Sequence, residues 1–446
     1  MFISQFIKTM KPPQIIITVF LTVILIGSVC LALPMSDQNG QATSYLDSLF
    51  MAVSATCVTG LAVVNTADHW NTFGQVVILI MVEVGGLGFM SFLVLLLNMT
   101  GQHPSFKSKM MIRDAYNFTT INGGVNLVKS IIKLSLITQL IGAFLLSLDF
   151  IPRFGWQKGV WFSIFHAVSA HSNAGFDLFE TSLFQFRDNP YVLVVMSLLI
   201  LSRSFGFIVW FDLLNYKKIK KITLHSRLAL TMTAILVVSG TVLYCILNYR
   251  SFNGHIGTFL AQNFFLSITP RSGGFTFNNY NATSYASLVL TMFLMFVGGT
   301  SGSTAGGVKT TTFGILLINI KAIFSNRQHT IYHERRIPFR TISRVYEVVF
   351  IYLGIIFISS FILLVTEHLP ENNGIEYVFF EVISALATVG LSLGLTPHLT
   401  VVGKITIMIL MFIGRIGIMT VIYAVSSHSK VDETLIQYPD EEIVVG

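Results

Sequence analysis

The sequence predicts an all-α membrane protein built from four similar helix–loop–helix units. Two features of composition support this fold class: 53% of the 446 residues are hydrophobic and only 11% are charged, whereas a soluble domain carries roughly 25% charged residues. The third observation is that apolar runs long enough to cross a bilayer recur along the whole chain. A net charge of +7 could serve nucleic-acid binding, but the basic residues lie between the apolar runs, which is typical of a membrane protein.

Eight apolar runs are long enough to be membrane-spanning helices. They comprise residues 15–33, 73–97, 125–148, 191–214, 228–247, 287–320, 345–365 and 402–425. Lys8 and Lys11 precede the first run, which is longer than the apolar core of a signal peptide and is therefore expected to be retained. An even number of spans places both termini on the same side of the membrane.

A shorter apolar segment lies between the two spans of each pair, at residues 45–55, 156–170, 256–268 and 375–385. Each segment is too short to cross about 30 Å of hydrocarbon and too apolar for a solvated loop. We therefore expect four re-entrant half-helices, buried or lining a cavity. The chain accordingly divides into repeat 1 (residues 1–100), repeat 2 (101–216), repeat 3 (217–330), repeat 4 (331–428) and a cytoplasmic C-terminal tail (429–446).

The distribution of charge predicts the orientation of the chain. Basic residues such as Lys107, Lys218 and Arg335 concentrate in the connections on the side of the N-terminus, whereas acids such as Asp177 and Glu180 concentrate on the opposite side. Because Lys and Arg mark cytoplasmic loops, both termini are expected in the cytoplasm. The outer mouth is then acidic and should attract cations.

A glycine-containing turn follows each half-helix, and we call these segments the first to fourth glycine turns (residues 56–60, 173–175, 269–274 and 388–390). Glycine adopts positive φ without steric cost, rings of backbone carbonyls can replace the water shell of potassium, and a half-helix directs its negative C-terminal end at the ion. One glycine would be an ordinary helix cap. Four in the same context predict four helix–pore loop–helix repeats with pseudo-fourfold symmetry around one pore.

The candidate filter that would hold potassium, the only metal expected, consists of residues from all four turns. They are Thr56, Cys57, Val58, Thr59, Gly60, Asn173, Ala174, Gly175, Thr269, Ser272, Gly273, Gly274, Thr388, Val389 and Gly390.

These turns resemble those of the Trk/Ktr/HKT superfamily of potassium transporters, and most nearly the Ktr-type membrane subunit of bacteria. The resemblance covers the chain from Pro12 to Gly446, and its most specific motifs are Thr-Cys-Val-Thr-Gly-Leu, Ser-Asn-Ala-Gly-Phe, Thr-Pro-Arg-Ser-Gly-Gly-Phe and Ala-Thr-Val-Gly-Leu. It implies that the glycines of the four turns form the selectivity filter. In plant relatives a serine at the first glycine is associated with sodium preference, so Gly60 implies potassium.

Ten consecutive small residues interrupt the predicted span 287–320, and we call them the 298–307 loop. They are Gly298, Gly299, Thr300, Ser301, Gly302, Ser303, Thr304, Ala305, Gly306 and Gly307. Such a segment forms a poor helix, and non-helical backbone at membrane depth must be buried or line a cavity. A gating loop below the filter is the favoured interpretation, which the resemblance also implies. Close packing of helices on small residues is the alternative.

Three cationic residues lie within or beside predicted spans, where charge is costly and usually functional. Arg415 could repel cations near the pore or donate hydrogen bonds to the 298–307 loop, which the resemblance favours, or it could form a static ion pair with Glu83. Lys309 could belong to the gate or snorkel to the cytoplasmic interface. Arg203 stands where relatives usually carry glycine, and its orientation is open.

The resemblance further implies potassium uptake across a bacterial cell membrane by a homodimer on a cytosolic, nucleotide-binding, KtrA-like regulatory ring. It implies sodium as a coupling or activating ion, and it places the tail at a subunit interface. A proton-coupled Trk-type symporter is the alternative. The sequence contains no Walker motif or dinucleotide fingerprint, so no cofactor is expected in this chain. A membrane-embedded enzyme would need clustered catalytic groups, whereas those present are scattered.

Overall fold

The computed structural model describes residues 12–88 and 124–425, except 253, 279, 281–282 and 370–373. These residues form a mostly helical protein with one short β-hairpin. The expected tail at 429–446, the end of the predicted span 73–97 and the basic residues Lys8, Lys11 and Lys107 lie outside the described residues.

The first unit contains a long helix, a half-helix and a second long helix. Its elements are α1 (Pro12–Ala32), α2 (Tyr45–Thr56), α3 (Thr66–His69) and α4 (Thr72–Leu87). The side chain of Asn71 accepts hydrogen bonds from the N–H groups of Phe73 and Gly74, which fixes the start of α4. Gly88 has φ of +78° and ends α4.

In the second unit the predicted span 191–214 forms two helices with a sharp bend between them. Its elements are α5 (Gly124–Phe154), α6 (Trp156–Ser172), α7 (Pro190–Ser204) and α8 (Gly206–Ile219). The axes of α7 and α8 differ in direction by 94°. Gly206 lies at the corner with φ of +73°, a conformation that costs glycine little.

The third unit is broken at the position that the small residues predict. Its elements are α9 (Leu224–Leu247), α10 (Ile256–Ile268), α11 (Tyr285–Phe296) and α12 (Thr310–Phe324), followed by the antiparallel strands β1 (Ile331–Tyr332) and β2 (Arg335–Arg336). The chain between Phe296 and Thr310 is not helical, so one helix over residues 287–320 does not form.

The fourth unit corrects a further predicted span, because residues 402–425 are not one helix. Its elements are α13 (Phe339–Thr366), α14 (Ile375–Leu386), α15 (Val401–Ile416) and α16 (Ile418–Val425). Gly417 has φ of +90° and separates α15 from α16. In all four units, therefore, the second helix ends or breaks at or near glycine.

These breaks shorten several helices of the second, third and fourth units. Within the described residues, three helical segments have the required length and composition: Ser130–Phe154, Leu224–Leu247 and Phe339–Thr366. The bent pair of α7 and α8 adds a fourth. The long helices α5, α9 and α13 expose large apolar side chains such as Phe144, Val238 and Phe357, as expected for faces in contact with lipid.

The half-helices α2, α6, α10 and α14 lie in the interior. One buried cluster joins the first and fourth units and contains Phe50 and Met51 of α2 with Phe380 of α14. A second joins the second and third units and contains Ala167 of α6 and Phe265 of α10. This packing fixes the ends of all four half-helices, where the glycine turns begin.

Candidate cation filter and the loop beside it

The four glycine turns share an unusual backbone conformation. Each has two residues with positive φ, two positions apart: Val58 and Gly60, Asn173 and Gly175, Ser272 and Gly274, and Thr388 and Gly390. Positive φ is rare for residues other than glycine and is an outlier for β-branched residues such as Val and Thr. Such strain concentrates at functional sites. Its recurrence in four turns indicates one shared conformation that serves a common purpose.

The four turns contact one another in a closed order. A side chain added at Gly60 would collide with the carbonyl oxygen of Ala174, and one added at Gly175 with the Cα of Gly274. One added at Gly274 would collide with the carbonyl oxygen of Val389, and one added at Gly390 with that of Thr59. Each turn therefore approaches the next, and the fourth returns to the first. Only glycine allows the backbones to come this close.

Hydroxyl groups of the half-helices hold the turns in place. Ser54 and Ser384 accept hydrogen bonds from the N–H groups of Gly60 and Gly390, both at 3.1 Å. In the second and third units, Ser169 donates to the carbonyl of Phe176 and Thr269 to that of Phe275. Sequence reasoning selected Thr269 but missed the three serines. Their spacing of six residues before Gly60, Gly175 and Gly390 is the signal that could have identified them.

Two hydroxyl oxygens of the first turn, those of Thr56 and Thr59, are buried and have no hydrogen-bond partner among the described residues. Buried polar groups are nearly always hydrogen-bonded, so an exception calls for an explanation. Oxygen ligands for a dehydrated cation would supply one.

The 298–307 loop is closed at its base and reaches the glycine turns. Val297 and Val308 pair as a β-bridge, and the N–H of Gly298 donates to the carbonyl of Val308 at 3.1 Å. Farther along, Thr304 donates to the carbonyl of Ser172 at 3.3 Å, next to the second turn. The N–H of Gly306 donates to the Thr388 hydroxyl of the fourth turn at 3.0 Å. The loop therefore lies directly against the candidate filter.

The loop is more firmly held than a glycine-rich sequence suggests. Thr300 donates through its N–H to the carbonyl of Ser204 at the end of α7, at 3.0 Å. Ser301 and Thr311 share a hydroxyl hydrogen bond of 2.8 Å, and Ser303 donates to the carbonyl of Thr300 at 2.7 Å. Hydrogen bonds of its hydroxyl and N–H groups therefore hold the loop to α7 and α12.

Two of the cationic residues contact the loop directly. The guanidinium of Arg415 donates to the carbonyls of Thr304 and Gly85, which is the hydrogen-bonding role considered for it. The ammonium of Lys309 donates to the carbonyl of Ala305. The snorkelling interpretation of Lys309 is therefore wrong, because its side chain turns back toward the loop.

Arg203 contacts the first unit beside Arg415. Its guanidinium donates to the carbonyl of Gly86, next to the carbonyl of Gly85 that Arg415 contacts. The last carbonyls of a helix lack partners within that helix and carry partial negative charge. Since α4 ends at Leu87, the two arginines satisfy its C-terminal carbonyls from the second and fourth units.

Arg271 is a further residue that the sequence interpretation did not select, although it lies within the third turn. Its side chain is only 1% exposed, and its guanidinium donates to the Thr310 hydroxyl at 3.2 Å and to the carbonyl of Gly298 at 3.4 Å. Thr310 also donates to the carbonyl of Gly298 at 2.7 Å. Arg271 therefore joins the third turn to the base of the 298–307 loop.

The closed set of turns and the apolar helices around it are features of membrane proteins that move cations. The chain belongs to the TrkH family, described as cation transport protein, which matches residues 3–433. This result confirms the resemblance noted from the four motifs, and it confirms a transport protein rather than an enzyme.

Relatives and a solved structure agree with this assignment. The potassium/sodium uptake protein NtpJ of Enterococcus hirae is 45% identical over 98% of this chain and 98% of its own length. The Ktr system potassium uptake protein B of Bacillus subtilis is 38% identical over 98% of this chain and 97% of its own. The fold is similar to that of the potassium transporter TrkH from Vibrio parahaemolyticus, with a TM-score of 0.69 and 19% identity over 92% of this chain and 84% of that one.

Proposed function

We propose that this protein takes up potassium across a bacterial cell membrane through a filter formed by its four glycine turns with pseudo-fourfold symmetry around one pore. The observation that carries the proposal is the closed order of contacts from Gly60 to Gly175, Gly274 and Gly390, together with the positive φ shared by all four. Such turns can present backbone carbonyls to a dehydrated ion. The half-helices direct their negative ends toward the same place.

The uptake function of two relatives supports this direction of transport. Their names specify potassium/sodium uptake in Enterococcus hirae and potassium uptake in Bacillus subtilis. Glycine at position 60 favours potassium, because serine there accompanies sodium preference in plant relatives. Both termini would then be cytoplasmic, and the acidic side of the chain would face outward and attract cations.

The 298–307 loop would act as the gate. Its contacts with Ser172 and Thr388 place it beside two of the four turns, and Arg415 and Lys309 bring positive charge to the same place. Positive charge in a low-dielectric environment opposes a passing cation. Opening would require the loop to exchange these hydrogen bonds for others.

The membrane subunit would work as a homodimer on a cytosolic ring of KtrA-like regulatory subunits, since one relative belongs to a Ktr system. The test of the dimer is to end the chain after His428 and to measure its mass in detergent. A monomer would support a role for the tail in the subunit interface, and a fully retained dimer would contradict that role.

The transport proposal is tested with purified protein in liposomes. A potassium gradient should drive rubidium uptake, and empty liposomes should show none. Added potassium should inhibit this uptake more strongly than added sodium does. Adding an inward sodium gradient should stimulate uptake if sodium is the coupling or activating ion. Stimulation by a proton gradient alone would favour the proton-coupled Trk-type alternative, and equal competition by sodium and potassium would contradict the proposed selectivity.

A further inference from the structure

A cavity of about 410 Å³ lies between the third and fourth units, on the side of the molecule that carries the β-hairpin. Its walls come from the starts of α9, α12 and α13 and from the hairpin, and Ser301 of the 298–307 loop contributes to the lining. A volume of this size lies at the lower end of the range for small-ligand sites. The cavity is separate from the glycine turns and has no role in the transport mechanism described above.

The polar groups of this cavity are mostly hydrogen-bond donors or cations. Arg336 and Arg344 line it, and none of the described residues in the lining is Asp or Glu. The ion pairs among the described residues are His69–Asp37, Arg153–Asp149 and Lys404–Asp47, so neither arginine is paired with a described acid. Planar guanidinium groups suit the paired oxygens of phosphate. These charges favour an anion.

Two further polar atoms of the lining are buried, the hydroxyl oxygen of Tyr332 and the Nε2 atom of His225. Neither has a hydrogen-bond partner in the part of the chain that the structure describes. Leaving a buried polar group unpaired costs about 1–3 kcal/mol. An anionic ligand that accepts hydrogen bonds from these two atoms would remove that cost. Together with the two arginines, they surround the same space.

The remainder of the lining is apolar. Leu228, Ile315 and Val345 project from α9, α12 and α13, respectively, within the first two turns of each helix. Two of these helices, α9 and α13, have the length and composition of membrane spans. Their starts therefore lie near the boundary between hydrocarbon and water, where lipid phosphates also lie. A ligand with a phosphate and an apolar chain matches both parts of the lining.

We infer that this cavity binds an anionic phospholipid of the cytoplasmic leaflet, with its phosphate at Arg336 and Arg344 and part of one acyl chain against the apolar wall. The leaflet rests on the orientation in the proposed function. Basic residues near the cytoplasmic surface attract anionic lipids. Phosphatidylglycerol is a suitable probe because it combines an anionic phosphate with acyl chains.

The bound lipid would influence the position of the 298–307 loop. Ser301 and Thr311 both line the cavity, and their hydroxyl groups share a hydrogen bond of 2.8 Å. Occupancy of the cavity is thereby linked through Ser301 to the segment that lies against the glycine turns. Lipid binding would favour whichever loop position leaves the cavity open to the phosphate.

The test is native mass spectrometry of the purified full-length protein with added phosphatidylglycerol. The variant Arg336→Gln/Arg344→Gln should lose at least about tenfold in apparent affinity, since each lost contact to a phosphate is charge-assisted. The matched control is Arg335→Gln/Arg340→Gln, which removes the same charge from two exposed arginines outside this lining. It should bind as the wild type does. Size-exclusion profiles of both variants establish that they are folded.

Four outcomes would overturn the inference. Equal phosphatidylglycerol binding by the wild type and both variants would exclude the cavity as the site, and equal binding of phosphatidylcholine would exclude recognition of net anionic charge. Displacement by equimolar inorganic phosphate would identify free phosphate as the ligand. Binding only after truncation at His428 would identify the acidic tail as the occupant. Native mass spectrometry measures lipid binding without transport. Failure of rubidium uptake would therefore refute the proposed function without deciding whether the cavity binds lipid.

Discussion

Arg415 donates a hydrogen bond to the backbone carbonyl of Thr304, and this contact ties the last unit to the loop that lies against the glycine turns. The same guanidinium donates to the carbonyl of Gly85, at the end of α4 in the first unit. One side chain thus joins the first and fourth units to a segment of the third. Because the guanidinium is forked and always charged, it can hold both carbonyls at once.

We predict that Arg415→Ala increases potassium flux. Hydrogen bonds to charged groups contribute about 1.5–3 kcal/mol each, and a loss of only 1.4 kcal/mol from the closed state changes its population relative to the open state about tenfold. Removing the charge also removes repulsion of the cation. The measurement is rubidium uptake into liposomes, normalised to folded protein.

The variant Arg415→Lys separates these two causes. Lysine keeps the positive charge but cannot reproduce the two-pronged geometry. If the hydrogen bonds to the carbonyls of Thr304 and Gly85 limit flux, the lysine variant should behave like the alanine variant. If the positive charge limits flux, the lysine variant should behave like the wild type. Unchanged flux in both variants would contradict a gating role for this residue.

Removing residues 300–305 should raise flux and abolish its regulation. The base of the loop is held independently by the bridge between Val297 and Val308, so a shortened connection can still join α11 to α12. The deletion removes the contacts of Thr300 with Ser204 and of Thr304 with Ser172. Uptake per folded protein, with and without the proposed regulatory subunit, is the quantity to compare.

The alternative is that the loop is only a packing device. In that case the deletion should reduce the yield of folded protein or abolish transport. A deletion variant that folds normally but transports no faster than the wild type would count against gating and would favour the packing interpretation.

The sequence correctly predicted departures from helical backbone at the positions where several signals coincided. Four glycines, each after a short apolar segment, predicted turns that prove to have positive φ at Gly60, Gly175, Gly274 and Gly390. Ten small residues in succession predicted the interruption at 298–307. In both cases the composition itself disfavours a helix, so no knowledge of neighbours was required.

The breaks at Gly206 and Gly417 could not be predicted in this way. A single glycine in an apolar run is compatible with a straight helix, and hydropathy reports only apolar character. Gly206 turns the chain because the 298–307 loop packs against it, where a side chain would collide with Thr300. The contacts of Arg203, Arg271 and Arg415 with distant carbonyls likewise depend on tertiary structure, because a carbonyl acceptor exists at every residue and leaves no mark in the sequence.

We expect Gly60→Ser to weaken discrimination between potassium and sodium. A side chain at this position would collide with the carbonyl oxygen of Ala174 and would have to adopt φ of +91°. Displacing carbonyls of two turns should cost about 1.4 kcal/mol of discrimination, which corresponds to a tenfold change. Competition of sodium with rubidium uptake measures the effect.

Gly394→Ser is the matched control for this substitution. Gly394 also has positive φ, at +100°, but apart from its chain neighbours no described residue has an atom within 4 Å of an added Cβ. It should therefore retain the selectivity of the wild type at a comparable cost in backbone strain. If both variants lose selectivity equally, or neither does, Gly60 has no specific role in the filter.

Lowering the external pH through about 6 should reduce potassium uptake, because Asp177 lies just beyond the second turn on the proposed outer face. Burial raises the pKa of Asp177 to about 6, although hydrogen bonds from Ser182 and the N–H of Phe179 oppose the shift. The carboxylate is thus mostly ionised at pH 7 and mostly protonated at pH 5. Two unit charges ~10 Å apart interact by only ~0.4 kcal/mol in water, so we expect a modest effect, roughly a twofold loss of uptake at low ionic strength.

Asp177→Asn should take up rubidium at every pH at the rate that the wild type has at low pH. The fall in uptake near pH 6 should therefore be absent from this variant. The control Asp68→Asn removes an exposed carboxylate from the same acidic side and should leave that step in place. Rubidium uptake from pH 5 to pH 8 at constant internal pH distinguishes the two variants. If the step survives in Asp177→Asn, the carboxylate of Asp177 does not attract the cation, and another group at the outer mouth must account for the pH dependence.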